Sequence, residues 1–186
     1  SDGRARPPIV VLDEAYIEFA GPSLVALRAR HANLVIVRTL SKAYALAGFR
    51  VGFAMADRAT IAQLAIYRPP GSISSVSAAV GEAGLRNPAA LAANVRAVTA
   101  ERDRLAGALR ATGWPVATGV ANFLLVDFGS PEAAAAVATG LLRAGLVPRT
   151  FGAEHPLAGH LRITVRTPAQ DDRLVAVAAR LRAEPS

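Results

Sequence analysis

Two short apolar runs constrain the fold of this chain more than any other feature of its sequence. Residues 9–12 (Ile-Val-Val-Leu) and 33–37 (Asn-Leu-Val-Ile-Val) have the length and composition of buried strands, and a third strand is predicted at 51–54. The segment 23–32, between the first two strands, is predicted to be a helix. A strand, a helix and a strand in this order imply a parallel sheet, so the first third of the chain is predicted to be α/β.

Residues whose side chains can bind a ligand or transfer a proton follow each of the first two strands. Asp13 and Tyr16 come after the first strand, whereas Thr39, Ser41 and Lys42 come after the second. Ligands of open α/β sheets bind at the carboxyl ends of the strands. An acid, a phenol, two hydroxyls and an amine are therefore expected to meet at one place.

Lys42 is the one lysine in a sequence that otherwise uses arginine, which argues against a solvated surface charge. Arg50 lies eight residues further on, and arginine is suited to phosphate because its planar fork meets two oxygens at once. An amine able to form an imine, beside groups that bind a phosphate, is the arrangement that a pyridoxal phosphate enzyme needs.

These motifs resemble those of the fold-type I aminotransferases, and among them most closely the histidinol-phosphate aminotransferases. The resemblance is carried by residues 13–16 (Asp-Glu-Ala-Tyr), 38–44 (Arg-Thr-Leu-Ser-Lys-Ala-Tyr), 46–52 (Leu-Ala-Gly-Phe-Arg-Val-Gly) and 161–165 (Leu-Arg-Ile-Thr-Val). It spans nearly the whole chain. It departs at Arg166, where the family usually has glycine.

The resemblance implies a pyridoxal phosphate-dependent enzyme with three residues at the centre of its chemistry. Asp13 is expected to keep the cofactor's ring nitrogen protonated, and Tyr16 to donate to the ring's 3-oxygen. Lys42 is expected to form an imine with the cofactor and then to move the proton of the substrate. Glu14 is expected either to cap backbone groups or to face solvent.

Further residues acquire binding roles from the same resemblance. Thr39, Ser41 and Arg50 are expected to bind the cofactor phosphate. Arg162, inside an apolar strand, is expected to bind the α-carboxylate of the substrate, because a charge in such a strand either lies on a wet face or holds an anion. Arg149 is expected to select the anionic far end of the substrate.

The implied reaction is transamination between histidinol phosphate or imidazole acetol phosphate and glutamate or 2-oxoglutarate. An aromatic amino acid aminotransferase and a threonine-phosphate decarboxylase are alternatives within the same class. An inactive remnant and a basic binding module are alternatives from other classes. The family's chains are about twice as long, so this chain is expected to be the C-terminal half of a homodimeric enzyme, and to be inactive without the N-terminal half.

The chain is predicted to contain two parts, the first being the C-terminal part of a large cofactor-binding domain at 1–96. The second is a small α+β domain at 97–186, and a long helix at about 88–111 joins the two because Asn87 and Pro88 form a start signal. The other predicted elements are helices at 60–66, 76–85, 131 to about 145 and 168–182, with strands at 123–127, 147–150 and 161–165.

Composition and charge argue against several other classes of function and location. The formal net charge is +7, but the arginines are spread along the chain, so no nucleic-acid partner is predicted. There are no cysteines, and the three histidines have no metal-like spacing, so no metal is predicted. The polar start at 1–8 is unlike a signal peptide, and no run of about 18 apolar residues occurs. A cytoplasmic protein with no membrane partner is therefore predicted.

Overall fold

A computed structural model describes residues 7–183, so most of the polar start at 1–8 lies outside the described residues. The chain divides between Val95 and Arg96 into two compact units, called here the first unit and the second unit. The assignment of these parts to a cofactor-binding domain and a small domain stays a prediction. No helix among residues 7–183 has the length and apolar character needed to cross a membrane.

A three-stranded sheet forms the first unit's framework. Its strands are β1 (Val10–Asp13), β2 (Leu34–Thr39) and β3 (Gly52–Met55), in the order β1-β2-β3. β1 and β2 are parallel, as predicted, with Asp13 opposite Val37, whereas β2 and β3 are antiparallel. The carboxyl ends of β1 and β2 therefore lie at the same edge of the sheet.

The prediction that the strand at 9–12 is buried is wrong, although the strand itself exists as β1. Val10 is 50% exposed and Val11 is 61% exposed. Within the described residues β1 is an edge strand with no neighbour on its outer side. β2 has a neighbour on each side, and its residues 34–36 are buried.

The helix predicted at 23–32 forms only in part, and as a 3₁₀ helix. The structure has a four-residue helix α1 (Ile17–Ala20) and then a 3₁₀ helix, Val25–Ala29. Ser23 and Leu24 instead bond to the side chain of Glu14, through Ser23 Oγ at 2.8 Å and Leu24 N–H at 2.9 Å. This long-range contact leaves room for only a short turn of helix between the strands.

Three longer helices follow the sheet, and all three were predicted. They are α2 (Arg58–Ile66), α3 (Ser75–Leu85) and α4 (Pro88–Ala111). The predicted cap of α4 is confirmed, because Asn87 Oδ1 accepts the N–H of Ala90 at 3.0 Å.

The second unit packs helices against a two-stranded antiparallel sheet. Its strands are β4 (Phe123–Asp127) and β5 (His160–Thr164), and its further helices are α5 (Pro131–Arg143) and α6 (Pro168–Ala183). The strand predicted at 147–150 is wrong, since the segment makes a single bridge to β5. The buried core consists of Leu105, Ala106, Leu109, Trp114, Val116, Leu124, Val126, Ala134, Ala138, Leu141, Leu161, Ile163, Val165, Leu174, Val177 and Ala178.

Candidate active site

The candidate site of the first unit lies where β1 and β2 end. Asp13 and Val37 are register partners and therefore share one face of the sheet. Thr39, two residues after Val37, lies on that same face because side chains alternate along a strand. Two of the residues predicted from the sequence, Asp13 and Thr39, are thus on one face at one edge.

Lys42 and Tyr16 meet beside this edge. The Nζ of Lys42 lies 5.6 Å from the centroid of the Tyr16 ring, which is within the range of a cation–π contact. Both side chains are half-buried. Tyr16 stands at the N-terminus of α1, so β1 and the turn into α1 position the phenol, whereas β2 positions the amine.

The backbone between β2 and Lys42 is held by two contacts to Val51. The fully buried Leu40 donates its N–H to Val51 O at 3.0 Å, and Thr39 Oγ1 donates to the same oxygen at 3.4 Å. Thr39 Oγ1 also accepts the N–H of Ser41 at 3.1 Å. The turn that carries Ser41 and Lys42 is therefore bonded to the residue that directly precedes β3.

Arg50 lies at the other end of the same loop in a left-handed conformation, with φ 55° and ψ 40°. Ala45 also has a positive φ, 57°. Left-handed non-glycine residues are uncommon and cost about 1–2 kcal/mol, and such strain concentrates at functional sites. The Arg50 side chain is exposed, and its Nη1 donates to Ala47 O at 3.0 Å. Its remaining donors can turn towards a ligand.

Asp13 has an exposed carboxylate whose Oδ1 accepts the N–H of Ala15 at 2.9 Å. This bond orients the side chain and leaves the second carboxylate oxygen available to a ligand. The first unit thus brings together Asp13, Tyr16, Thr39, Ser41 and Lys42, with Arg50 on the loop between β2 and β3.

A buried ion pair at the same edge was missed from the sequence. Glu14 is 5% exposed, and its Oε2 accepts bonds from Arg38 Nε at 3.0 Å and Nη2 at 2.9 Å. Burial raises the pKa of Glu14, but the bonds from Leu24 N–H, Ser23 and Arg38 outweigh burial, so that the pKa lies below its usual value. The expectation that Glu14 caps backbone is confirmed, because it accepts the N–H of Leu24, and the alternative of a solvent-facing side chain is wrong. The signal was available, since Glu14 and Arg38 each adjoin a predicted site residue.

Arg149 and Arg162 belong to the second unit, whereas the other predicted site residues belong to the first. Arg149 and Arg162 are paired directly, each donating its N–H to the other's carbonyl at 2.9 Å. The Arg162 guanidinium lies 5.1 Å from the centroid of the Phe123 ring. Its buried Nε has no hydrogen-bond partner among the described residues. A buried donor of this kind is costly unless an acceptor is supplied.

Both arginines line a cavity of about 630 Å³. Arg166 and Arg173 contribute further positive charge to its wall, and Asp171 one carboxylate. The volume falls within the range of small-molecule pockets. The excess of guanidinium groups favours an anionic ligand. Within residues 7–183, no cluster of three or more His, Cys, Asp or Glu has a geometry that could hold a metal.

Comparison with known proteins gives this arrangement a context. The sequence model of the family described as "Aminotransferase class I and II" matches residues 4–177. A histidinol-phosphate aminotransferase from Xylella fastidiosa (strain 9a5c) is 42% identical over 184 residues, which is 96% of this chain and 49% of that protein. An aromatic amino acid aminotransferase from Rhodococcus opacus (strain B4) is 37% identical over 172 residues, covering 91% of this chain and 46% of that protein.

A solved structure shows the same fold. It is the crystal structure of histidinol-phosphate aminotransferase from Sinorhizobium meliloti in complex with pyridoxal-5'-phosphate, with a TM-score of 0.85 and 28% identity. The match covers 93% of this chain and 48% of that chain, so this chain spans about half the length of the proteins it matches. The predicted fold-type I aminotransferase fold is thereby confirmed, while the small C-terminal α+β domain stays a prediction. The chain belongs to the class I and II aminotransferase family.

Proposed function

We propose that the protein containing this chain is a pyridoxal phosphate-dependent aminotransferase. Its proposed substrates are histidinol phosphate or imidazole acetol phosphate as one partner, and glutamate or 2-oxoglutarate as the other. The observation that carries the proposal is the position of Lys42, held at the carboxyl edge of β1 and β2 with its Nζ 5.6 Å from the Tyr16 ring. A relative 42% identical over almost the whole chain is named for this activity.

The donor set at this edge fits pyridoxal phosphate. The cofactor has an aldehyde carbon for the Lys42 amine, a ring nitrogen for the Asp13 carboxylate and a ring oxygen for the Tyr16 phenol. When bound, the cofactor withdraws the electrons that are left when the substrate loses its α-proton. Each of these groups on the protein already lies at one edge of one sheet, as such a ligand requires.

Lys42 has two tasks in this proposal. Its amine would hold the cofactor, and as a free amine it would carry a proton between the α-carbon of the substrate and the imine carbon that the cofactor supplies. The contacts of Leu40 and Thr39 with Val51 keep the turn at a fixed position, so that the Lys42 amine stays within reach of both atoms. The half-buried setting of Lys42 limits the access of water to the amine.

The phosphate is assigned to Thr39, Ser41 and Arg50. The Ser41 hydroxyl and the Arg50 guanidinium offer donors to an anion, and Arg50 adds a full positive charge. The one hydroxyl hydrogen of Thr39 is donated to Val51 O, so Thr39 would have to exchange this bond for a phosphate oxygen. Thr39 orients Ser41 by accepting its N–H, and the Ser41 hydroxyl is proposed to donate to a phosphate oxygen. Arg50 can exchange its bond to Ala47 O for a phosphate oxygen.

The substrate anions are assigned to the cavity of the second unit. Arg162 is proposed to take the α-carboxylate, which would supply the acceptor that its buried Nε lacks among the described residues. Arg149, paired with Arg162 on the neighbouring backbone, is proposed to take the anionic far end. Glutamate and 2-oxoglutarate each carry two carboxylates and would use both arginines, whereas histidinol phosphate has no α-carboxylate and would place its phosphate at one of them.

An aromatic amino acid aminotransferase is the second candidate, because the Rhodococcus opacus relative is 37% identical and is named for that activity. Comparing kcat/KM for histidinol phosphate and phenylalanine, each with 2-oxoglutarate, separates the two. A higher value for histidinol phosphate supports the first candidate, and a higher value for phenylalanine overturns it.

Several properties of the whole protein remain predictions from the resemblance. We propose that the complete enzyme contains the other half of the fold, that it forms a homodimer and that it works in the cytoplasm. The 186-residue chain alone is predicted to bind cofactor poorly. Light scattering on the complete enzyme checks the homodimer, and a cofactor titration of this chain alone checks the weak cofactor binding.

The experiment that tests the proposal is borohydride reduction of the complete enzyme with pyridoxal phosphate, followed by peptide mass spectrometry. Lys42 is the one lysine in this chain, so a reduced adduct within it can be assigned without ambiguity. The adduct is expected on Lys42. Its absence from Lys42 in an enzyme that still transaminates would overturn the assignment.

A further inference from the structure

The ion pair between Glu14 and Arg38 is more buried than an ordinary surface ion pair, and its carboxylate accepts more hydrogen bonds. The Glu14 side chain is 3% exposed and the Arg38 side chain 23% exposed. Besides the two bonds from Arg38, the Glu14 carboxylate accepts Ser23 Oγ at 2.8 Å and Leu24 N–H at 2.9 Å. By contrast, the pair between Glu82 and Arg86 on α3 has side chains that are 59% and 79% exposed.

The pair connects the two strands that carry the site. Glu14 directly follows Asp13, and Arg38 directly precedes Thr39. Asp13, Val37 and Thr39 share one face of the sheet, so Arg38, which lies between Val37 and Thr39, is on the opposite face. The pair therefore lies behind the site and acts through its neighbours in the chain, not by touching a ligand.

We propose that Glu14 and Arg38 form the positioning pair of this site, which holds the end of β1 against the end of β2 so that Asp13 and the turn carrying Lys42 keep one spacing. The inference rests on the proposed function for its catalytic consequence. The main chain supports it, because Glu14 N–H donates to Val37 O at 2.9 Å and so extends the ladder by one step. The bonds to Ser23 and Leu24 fix the connection that leaves the site edge.

The positioning role has a physical reason. The parallel ladder extends to the bond from Glu14 N–H to Val37 O, and past this bond the side chains of Glu14 and Arg38 continue the connection between the two chain segments. The two charge-assisted bonds from Arg38 Nε and Nη2 to the one oxygen Oε2 of Glu14 restrain the distance between the two side chains more strongly than a single neutral bond does. Misplacement of a catalytic group by about 1 Å is enough to lower a rate on the order of 10²-fold.

The test compares the complete enzyme with three variants. Glu14→Gln keeps the shape of the side chain but removes its charge. Arg38→Lys keeps the charge but removes the planar guanidinium group and its second donor to Glu14. Glu82→Gln is the matched control, because it removes an exposed pair in the same unit. Arg38→Lys also guards against loss of folding, since it leaves Glu14 with a cationic partner.

Two readouts distinguish positioning from general stability. In the cofactor-free protein, amide exchange in segments 13–16 and 39–43 is expected to become about tenfold faster in Glu14→Gln and Arg38→Lys, but not in Glu82→Gln. In the loaded enzyme, kcat is expected to fall on the order of 10²-fold with little change in the KM for glutamate. The pH at which the visible absorption band of bound cofactor changes is expected to shift in the same two variants.

The outcomes separate this inference from the proposed function. If the wild-type enzyme shows no pyridoxal phosphate-dependent transamination, the proposed function fails, and the exchange data alone decide whether the pair holds the edge. Unchanged exchange in both segments, with Glu14→Gln folded, overturns the positioning pair. An equal loss of kcat in Glu82→Gln overturns it as well, because the effect would then not belong to this site.

Discussion

The two units differ in how completely they bury their apolar side chains. Among the described residues, the second unit buries sixteen hydrophobic residues in one cluster, whereas the first unit buries six. Eleven large hydrophobic side chains are exposed in the first unit, against three in the second. The six buried residues of the first unit are Leu34, Val35, Ile36, Leu40, Ala43 and Ala56.

The exposed side chains of β1 explain much of the difference. Val10 and Val11 are adjacent in the strand, so they lie on opposite faces, and both are exposed. Apolar residues on both faces are typical of strands in α/β sheets that are covered on each side. The unit that carries Lys42 is thus open over the described residues, whereas the unit that carries the arginine-lined cavity has a closed core.

The largest expected effect lies in the open unit, at its chemical centre. Lys42→Ala in the complete enzyme is expected to lower kcat by at least about 10⁴-fold, because it removes both the covalent anchor and the proton carrier. Single-turnover assays with glutamate measure this loss. Lys42→Arg is the control that keeps the charge, and it is expected to be equally inactive. Activity near the wild-type level in either variant would show that Lys42 of the first unit is not the catalytic lysine.

A pair of matched truncations tests the contrast in packing. Leu109→Ala, in the core of the second unit, is expected to cost about 2–5 kcal/mol of unfolding free energy, because it leaves a cavity around a fully buried site. Leu64→Ala on α2, where the side chain is 47% exposed, is expected to cost at most about 0.5 kcal/mol. Urea unfolding by circular dichroism measures both, and Trp114 fluorescence follows the second unit. Similar losses of unfolding free energy in the two variants would contradict the difference in packing between the two units.

The second unit also contains a carboxylate whose charged form lowers the stability of the folded unit at neutral pH. Burial raises the pKa of Asp171 to about 6, and the neighbouring Glu101 carboxyl adds to the rise, whereas the N–H of Arg166 and the charge of Arg104 lower it. Since the folded pKa lies above the unfolded value of 3.8, the contribution of Asp171 is complete below pH 3.8 and is lost as pH rises through about 6.

Asp171→Asn is accordingly expected to flatten the pH dependence of unfolding between about pH 4 and 7, and to raise the stability at pH 8 by about 2 kcal/mol. Asparagine can still accept from Arg166 N–H. Urea unfolding at several pH values provides the measurement, and Asp172→Asn, whose side chain is 63% exposed, is the control. A slope that is unchanged in Asp171→Asn would contradict the assignment.

Recognition is predicted to lie in the second unit, with a smaller effect. Arg162→Ala is expected to raise the KM for glutamate on the order of tenfold with little change in kcat, because it removes one charged hydrogen bond to the α-carboxylate. Arg143→Ala, on the exposed part of α5, is the control. A fall in kcat with KM unchanged would move Arg162 from binding to chemistry.

Self-association is expected to show the smallest effect. The isolated 186-residue chain is predicted to associate through the apolar edge of β1, because unpaired strand edges pair with other chains. Val11→Lys is expected to lower the apparent mass measured by sedimentation by at most several-fold. Val147→Lys in the second unit, where the side chain is 84% exposed, is expected to leave the apparent mass unchanged. Equal effects of the two substitutions would show that β1 is not the adhesive surface.

Local patterns predicted the elements that depend on local signals. The cap at Asn87 and the following proline placed α4 at residues 88–111, and the strand predicted at 123–127 is β4. The failures are segments whose conformation depends on distant contacts. The segment 23–32 is diverted by bonds to Glu14, and 147–150 meets β5 in a single bridge, at Arg149.

The candidate site shows the same division. The sequence was enough to choose Asp13, Tyr16, Thr39, Ser41 and Lys42, because polar residues directly after strands of a parallel sheet must meet at one edge. It did not reveal the pairing of Glu14 with Arg38, which lie 24 positions apart. It also did not reveal that Arg149 and Arg162 are neighbours on adjoining backbones.

By itself, then, the sequence determined most of the strands and helices and the position of the one lysine, since these follow from periodicity, caps and residue type. Only the tertiary structure decided which side chains are buried, which charges are paired and which loop residues are left-handed. Burial and pairing depend on strand order and register, and these are set by contacts between segments far apart in the chain. That is why β1 has the sequence of a buried strand and yet lies exposed at an edge of the sheet over the described residues.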